Sequence, residues 1–319
     1  MDTEPTPQQA DRSPEDLKRM EDVITQGGEG FLHFLRSNYK DTNGHPDNRL
    51  FFHDEEHTHA VASRVVDIVK GLRECGVQVT KEQELRSVLA AYGHDLVQNW
   101  EVNEENGKRK RKVGDNEKES ADMVILWMDH IDAVGEKPVF THMDRAVVRE
   151  AILTAEPKFG TKVTIKTANG DEVTHTVGQP RLAKAQFLES HILALADITT
   201  SGMAEPEVMI REGQKLFRED NLELSRALET NTVTRELETK MSEEMDKWLE
   251  SQVQFTRARD ALLDPQLKSM GLNETQIAYM RENVFNKFAD VVKATQERSD
   301  EFKQMSAEPF QKKMAYMGY

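Results

Sequence analysis

Three histidines lie close together in one short segment of the sequence, at positions 53, 57 and 59. His53 and His57 stand four residues apart, so they share one face if the helix already includes residue 53. If His53 lies in the loop before that helix, it is still next to the first turn and near His57. A histidine taken alone is more often a surface polar residue. Here either placement lets both imidazoles contact the same metal ion or substrate.

Two more polar groups emerge from apolar runs of the sequence. His94 and Asp95 end the run 87–93 and place an imidazole and a carboxylate where the chain leaves the core. Asp197 lies inside the apolar run 191–198, where a carboxylate is costly unless it is paired or bound to a cation. Mixed imidazole and carboxylate ligands suit a hard or borderline divalent metal. The sequence predicts one divalent ion and leaves Mn, Fe, Co, Ni, Mg and Zn open.

A metal bound by these groups would satisfy all of them and keep one or two coordination positions for water and a substrate oxygen. The predicted ligands are His57, His94, Asp95 and Asp197. Asp197 has an alternative role as a helix residue with a local cap or an arginine partner. The burial cost alone does not separate these two roles.

Helical patterns surround these candidate groups. Only ten prolines and 31% charged residues favour solvent-facing helices over strands. Ser13 and Pro14 supply an N-cap and a first helical residue after the tail 1–12. A capping box at 80–83 starts the helix that leads to His94. Further helices are predicted at 55–72, 116–133, 143–155, 192–198 and 206–228, at 233–263 with a stop at Pro265, and in a last long helix from Asn273.

One segment departs from the helical period. Alternating apolar residues on both sides of Asn169 and Gly170 predict a two-stranded hairpin over 161–177. We expect a small insertion, because two strands alone are not a fold. The polar segment 98–115 is predicted to be a loop. The predicted fold class is all-α, with a disordered tail 1–12, a main domain 13–225 that carries the hairpin, and a C-terminal helical extension 226–319.

Composition excludes several classes of protein. The 42 basic and 57 acidic residues give a formal net charge of −15, which repels nucleic acid and anionic lipid unless a local basic patch reverses the field. The single cysteine, Cys75, cannot form an internal disulfide or a thiolate metal cage. Apolar runs are too short for a membrane span, and the N-terminus is unlike a signal peptide. We therefore expect a soluble cytoplasmic protein with neither a membrane nor a nucleic-acid duplex as partner.

Taken together, the motifs resemble those of the HD-domain metal-dependent phosphohydrolases. Residues 52–61 are similar to the first motif of that family, an aromatic residue followed by His-Asn-x-x-His-Thr, with Asp54 in the place of Asn. Residues 89–96 resemble the His-Asp motif, and residues 193–198 resemble the segment of the closing aspartate. Segments 114–121 and 151–159 resemble two further motifs of the bacterial branch. The resemblance covers roughly residues 30–225 and implies an HD helical bundle and the same four metal ligands.

The resemblance implies hydrolysis of a phosphoester of a nucleotide or another small phosphorylated metabolite, by water activated at the metal. His53, about one turn from a ligand, is placed to protonate the leaving alcohol oxygen. Some relatives have a glutamate three residues after the His-Asp pair to orient the attacking water. This chain has Gln98 there, which cannot act as a base. Glu117 is the substitute candidate, and its alternative role is a first-turn acid that favours the helix dipole.

A basic run at 108–112 lies between two of these motifs. Such a run is usually a solvated loop. We hypothesise that here it gives an acidic protein a local positive surface that attracts a phosphorylated substrate. The residues predicted to bind that substrate are Arg64, Lys108, Arg109 and Lys158.

Two other functions stay open at this level. A binuclear HD phosphodiesterase or di-iron oxygenase would need extra ligands, for which His130 and His142 are the only reasonable candidates, although their charged helix-end setting matches those families poorly. A nucleotide sensor would signal through 226–319, but a complete ligand set favours catalysis. Met and Leu positions in the last two helices suit core or oligomer contacts, so a homodimer is also open.

Overall fold

Helices dominate the computed structural model, which describes residues 12–40, 49–102, 109–166 and 172–319. Over these ranges there are thirteen α-helices and two small antiparallel hairpins, which confirms the predicted all-α class. The helices are α1 (Pro14–Leu35), α2 (Glu55–Glu74), α3 (Lys81–Gly93), α4 (Asp115–Val134), α5 (His142–Thr154), α6 (Leu188–Ile198), α7 (Thr200–Met203), α8 (Pro206–Asp220), α9 (Leu222–Glu229), α10 (Arg235–Ser269), α11 (Glu274–Asn283), α12 (Phe288–Gln304) and α13 (Phe310–Tyr316). The strands are β1 (Trp100–Val102), β2 (Arg109–Arg111), β3 (Lys158–Lys166) and β4 (Glu172–Gly178).

Side-chain caps set the starts of the helices that carry the candidate site. Asp54 caps α2 by accepting the backbone N–H groups of Glu56 at 3.0 Å and His57 at 3.1 Å. Since α2 begins at Glu55, His53 lies in the loop before the helix, the second of its two predicted placements. The predicted capping box of Thr80 and Gln83 starts α3.

A first hydrophobic cluster lies between α1, α2, α3, α4, α5 and α6. The apolar face of α2 is fully buried in it, as its pattern predicts. Gly93 allows α3 to approach α4 closely, because a Cβ there would lie 2.2 Å from Val124 Cγ2. This close packing directly precedes His94 and holds the end of α3 in place.

Residues beyond position 225 enter this cluster and also form a second one. Leu263, Leu267 and Met280 are fully buried in the first cluster. The second cluster joins α8 and α9 to α10, α12 and α13, through Phe217, Leu224, Met241, Met245, Leu249, Phe302, Phe310 and Met317. Both clusters therefore combine residues from before and after 225. The division into 13–225 and 226–319 stays a prediction.

Pro265 does not stop its helix, contrary to the sequence prediction, and α10 continues to Ser269. A proline inside a helix costs about 3 kcal/mol because one hydrogen bond is lost. Leu263 and Leu267, on either side of it, are fully buried. Burial of two leucines contributes about 1.5–3 kcal/mol each, which offsets that cost.

Two other predicted helices are divided. The helix predicted at 206–228 breaks at Asn221, whose φ of −111° and ψ of 50° are not helical. Its backbone N–H and its side chain both donate to the carbonyl of Phe217, at 3.1 Å and 2.9 Å. The last long helix predicted from Asn273 is three helices, α11, α12 and α13. The backbone N–H of Lys287, between α11 and α12, donates to the carbonyl of Gly202 at 3.0 Å.

The predicted loop 98–115 contains the hairpin β1–β2, in which Trp100 pairs with Arg111. Its strands have three residues each, which is too short for alternation to identify a strand in the sequence. Instead the guanidinium of Arg109 stacks on the Trp100 ring at 4.1 Å from its centroid. The hairpin predicted at 161–177 is present as β3–β4, and its turn residues 167–171 lie outside the described residues.

The tail predicted at 1–12 falls outside the described residues except for Arg12. That guanidinium forms ion pairs with Glu82 at 2.5 Å and with the buried Asp144. No helix in the described part of the chain combines the length and the apolar content needed to cross a bilayer.

Candidate metal centre

His57, His94 and Asp95 form a buried group in which one ligand atom from each residue lies within 4.8 Å of the others. The three residues expose only 4%, 2% and 3% of their surface. No other group of three or more histidine, cysteine or acidic residues with this geometry occurs among the described residues. A group of this composition could hold a divalent metal ion.

The distances within the group fit ligation of one ion. His94 Nε2 lies 3.1 Å and His57 Nε2 lies 3.5 Å from Asp95 Oδ2. Asp197, the fourth predicted ligand, is not a member of this group, although its Oδ1 lies 3.4 Å from His57 Nε2 and 3.6 Å from His94 Nε2. Atoms bound at about 2.1 Å from one metal lie about 3.0 Å apart in octahedral and about 3.4 Å apart in tetrahedral geometry.

Both Nε2 atoms are buried and have no hydrogen-bond partner. A buried, unpaired ring nitrogen costs free energy unless something else satisfies it. The Nδ1 of His94 donates to the Ala91 carbonyl at 2.7 Å, so Nε2 is the ring nitrogen that can bind a metal. A cation between the two Nε2 atoms and the carboxylates would satisfy all of these groups.

Charges inside the group are strongly coupled. Burial lowers the pKa of His94, but Asp95 and Asp197 outweigh it and raise that pKa well above its usual value. The pKa of His57 is likewise raised by the same two carboxylates against the effect of burial. Burial raises the pKa values of Asp95 and Asp197, but the nearby positive charges lower both overall. Without a metal, protonated imidazoles therefore balance the two carboxylates.

Hydrogen bonds to the other carboxylate oxygen, Oδ1, orient the side chain of Asp95. Asp95 Oδ1 accepts from Gln98 Nε2 at 3.0 Å and from Arg111 Nη2 at 2.5 Å. Gln98 Oε1 accepts from Arg111 Nε at 2.7 Å, so the three side chains form a closed set. These contacts direct Oδ2 towards the histidines. Arg111 appeared in the sequence only as one member of the basic run, and nothing local distinguished it.

Glu117 has a structural role and also lies near this set. Its Oε2 accepts the backbone N–H of Gly114 at the start of α4, as its alternative role predicts. Its Oε1 is 3.5 Å from Arg111 Nη2 and has no hydrogen bond. Arg111 Nη2 therefore contacts both Glu117 and Asp95.

His53 is held by a residue that sequence reasoning missed. Its ring centroid lies 5.9 Å from that of His57, and its Nδ1 contacts Glu219 Oε1. Glu219 Oε2 accepts the backbone N–H groups of Phe51 at 2.8 Å, Phe52 at 2.8 Å and His53 at 3.1 Å. Burial raises the pKa of Glu219, but His53 and these N–H groups outweigh it and lower that pKa to about 2. Glu219 lies in a charged helix, where one acid carries no signal of this role.

The residues predicted to bind substrate have different environments. Arg64 is buried; its Nε donates to the Ala196 carbonyl at 2.6 Å, and its Nη2 has no partner. Arg109 is also buried, and its Nε donates to the Glu219 carbonyl at 2.8 Å. Lys108 lies outside the described residues. Lys158 begins β3, and the structure describes its backbone only.

Two histidines considered for a binuclear site are exposed. His130 lies on α4 and His142 begins α5. Neither belongs to the group formed by His57 with its neighbours, within the described chain.

Arg259 of α10 reaches the end of α6 from the C-terminal region. It is buried, and its Nη2 donates to Thr199 Oγ1 at 3.0 Å and to Gln266 Oε1 at 2.9 Å. Burial lowers its pKa to about 10, and the charge of Asp197 acts in the opposite direction. Thr199 is two residues after Asp197, so α10 supports the segment that carries this carboxylate.

A scan against protein-family models, a search among curated proteins and a search among solved structures found no significant match. The HD resemblance, carried by its motifs, stays a prediction.

Proposed function

We propose that this protein is a metal-dependent phosphohydrolase of the HD type that cleaves a phosphoester of a nucleotide or another small phosphorylated metabolite. The observation that carries the proposal is the convergence of the buried Nε2 atoms of His57 and His94 on Asp95 Oδ2, at 3.5 Å and 3.1 Å. Asp197 is the proposed fourth ligand because its Oδ1 lies within 3.6 Å of both nitrogens. The proposed cofactor is one divalent ion.

A divalent ion bound there would lower the pKa of a water and neutralise charge on a phosphoryl group. The chain supplies the remaining chemistry. His53 directs Nδ1 to Glu219, so Nε2 is the nitrogen that can give a proton to the leaving oxygen. The Gln98 and Arg111 contacts hold Asp95 in one orientation, and Glu117 is the candidate for orienting water.

Electrostatics near the ligands supports a phosphorylated substrate. Arg64 donates from Nε to the carbonyl of Ala196, the residue before the proposed ligand Asp197. Its Nη2 has no hydrogen-bond partner and is a candidate donor to a phosphate oxygen. Lys108 and Lys158 keep their predicted roles in attracting the substrate. Arg109 has a different role, because it donates a hydrogen bond to the carbonyl of Glu219 and so holds the residue that contacts His53. The cytoplasm is the proposed compartment.

The test is a phosphatase panel on chelated protein, with and without each candidate divalent metal. We expect metal-dependent phosphate release that is lost in His94→Ala and in Asp95→Ala. The matched control is His130→Ala, an exposed histidine outside the group, which should keep full activity. Full activity in metal-free protein would overturn the proposal.

Metal stoichiometry separates the proposal from the binuclear alternative. We expect about one ion per chain, because the described residues provide one ligand group. Two ions per chain, with loss of activity in His130→Ala or His142→Ala, would favour the binuclear enzymes instead. Tight nucleotide binding without turnover would favour the sensor.

A further inference from the structure

We propose that Glu219 is the positioning residue for His53, and that this pair adapts the site to phosphomonoesters of aliphatic alcohols rather than to phosphoanhydrides. The inference rests on the proposed function. It names the class of leaving group that the site handles and assigns a role to a residue outside the sequence motifs.

Glu219 uses both of its oxygens on one short segment. Its side chain is fully buried, and Oε2 accepts three successive backbone N–H groups, those of residues 51–53. Successive N–H groups that converge in this way form an anion-binding concavity. The conformation of the segment before α2 therefore depends on one carboxylate oxygen. The same segment places the Phe52 ring 4.3 Å from the His57 ring, centroid to centroid.

The other oxygen sets the tautomer of His53. Glu219 is ionised near neutral pH, since its pKa is lowered to about 2, so it accepts a hydrogen bond from the Nδ1–H of His53. No described residue hydrogen-bonds His53 Nε2. A carboxylate that holds the far nitrogen of an imidazole fixes the ring and directs the near nitrogen to the reacting atoms. Glu219 thus acts through His53 and not on the substrate.

Helix α8 is held on two sides, which keeps Glu219 in place. Phe217, two residues earlier, packs into the second hydrophobic cluster with α10 and α12. On the hairpin side, Arg109 donates to the Glu219 carbonyl at 2.8 Å. The C-terminal helices therefore support the position of the proton donor.

The value of a proton donor depends on the leaving group. In the proposed step the water oxygen bonds to phosphorus and the ester P–O bond breaks. The leaving oxygen takes the Nε2 proton of the His53 imidazolium, whose Nδ1–H stays hydrogen-bonded to Glu219, and becomes an alcohol. The imidazole then recovers a proton from solvent, and the proton lost by water leaves with phosphate or solvent. An alkoxide is about as basic as hydroxide, whose parent water has a pKa of about 15.7, so it leaves poorly without that proton. A phosphate leaving group has a pKa of about 6 and hardly needs it.

The experiment compares two esters in the metal-loaded protein, an alkyl phosphate such as glycerol phosphate and 4-nitrophenyl phosphate. Glu219→Gln should lower kcat on the alkyl ester by about 10²-fold or more and leave kcat on the nitrophenyl ester nearly unchanged. The matched control is Glu207→Gln, an exposed acid on the same helix, which should change neither rate. An equal loss on both esters would show a merely structural role and overturn the proposal.

A second measurement is independent of activity. In metal-free protein, at a pH where the ring is neutral, ¹⁵N NMR should show the Nδ1–H tautomer of His53 in the wild type. In Glu219→Gln, with the amide oxygen retaining the backbone N–H groups, the amide N–H₂ should face Nδ1 and favour the Nε2–H form. An unchanged tautomer would overturn the pairing.

His53→Gln provides a further arm in case Glu219→Gln does not fold. It removes the proton donor directly, so it should lower kcat on the alkyl ester and leave kcat on the nitrophenyl ester nearly unchanged. If His53→Gln and wild type had equal rates on the alkyl ester, the proposal would be contradicted. A wild type with no metal-dependent activity on any ester would overturn the proposed function and the substrate class. The NMR result would then still decide whether Glu219 positions His53.

Discussion

Gln98 Nε2 lies 3.0 Å from Asp95 Oδ1, and the carbonyl oxygen of the same amide accepts from Arg111. An amide can donate on one side and accept on the other, which a carboxylate cannot do. This pairing explains why glutamine suits position 98. The side chain orients Asp95, a proposed metal ligand.

Gln98→Glu should weaken metal binding. The change removes a donor from Asp95 and places a second negative charge beside it, and loss of such supporting contacts typically costs about 10- to 100-fold in metal affinity. Calorimetric titration with the preferred metal measures the effect. Gln83→Glu in the first turn of α3 is the control, because a capping box accepts either residue. Equal affinities of Gln98→Glu and wild type would contradict the role of the amide.

Metal binding should release protons and strengthen as pH rises. The pKa values of His57 and His94 are raised in the metal-free chain by Asp95 and Asp197, despite burial, so both rings stay protonated above their usual range. A metal needs the neutral imidazole. Affinity should rise about tenfold per pH unit for each proton released. Titrations in buffers of different ionisation enthalpy count those protons, and a pH-independent affinity without proton release would refute the prediction.

Leu267→Ala should destabilise the whole protein. Leu267 is fully buried in the first cluster although it lies beyond position 225, and such truncations cost about 2–5 kcal/mol of unfolding free energy. Leu126→Ala is the matched control because Leu126 is 69% exposed. Urea unfolding followed by circular dichroism measures both. A loss in Leu267→Ala no larger than in the control would mean that the C-terminal helices do not complete this core.

Gly93→Ala should disturb the end of α3. The new Cβ would lie 2.2 Å from Val124 Cγ2, and overpacking of this kind costs about 1–3 kcal/mol. The double variant Gly93→Ala with Val124→Ala should recover part of the loss, because the clashing methyl is gone. Gly30→Ala, which meets nothing within 4 Å, is the control and should stabilise α1 slightly. Additive effects of the two changes in the double variant would contradict the close approach.

The sequence alone determined the helical class and three members of the candidate metal group. His94 and Asp95 carry a local signal because they end an apolar run, and His57 carries one because it lies four residues after His53. The start of α3 was also predicted, from the capping box of Thr80 and Gln83. Such signals are local: a cap or an apolar face involves residues within a few positions of one another.

Only the tertiary structure decided which charged residues support that group. Glu219, Arg111 and Arg259 lie in charged segments, and their roles depend on partners that are distant in the chain. The same holds for Leu263 and Leu267: their apolar pattern predicts burial but does not indicate which hydrophobic cluster buries them. It also holds for Pro265, which stays within a helix because these two leucines are packed. Burial and ion pairing are set by which surfaces meet when the helices pack, and no local pattern encodes that choice.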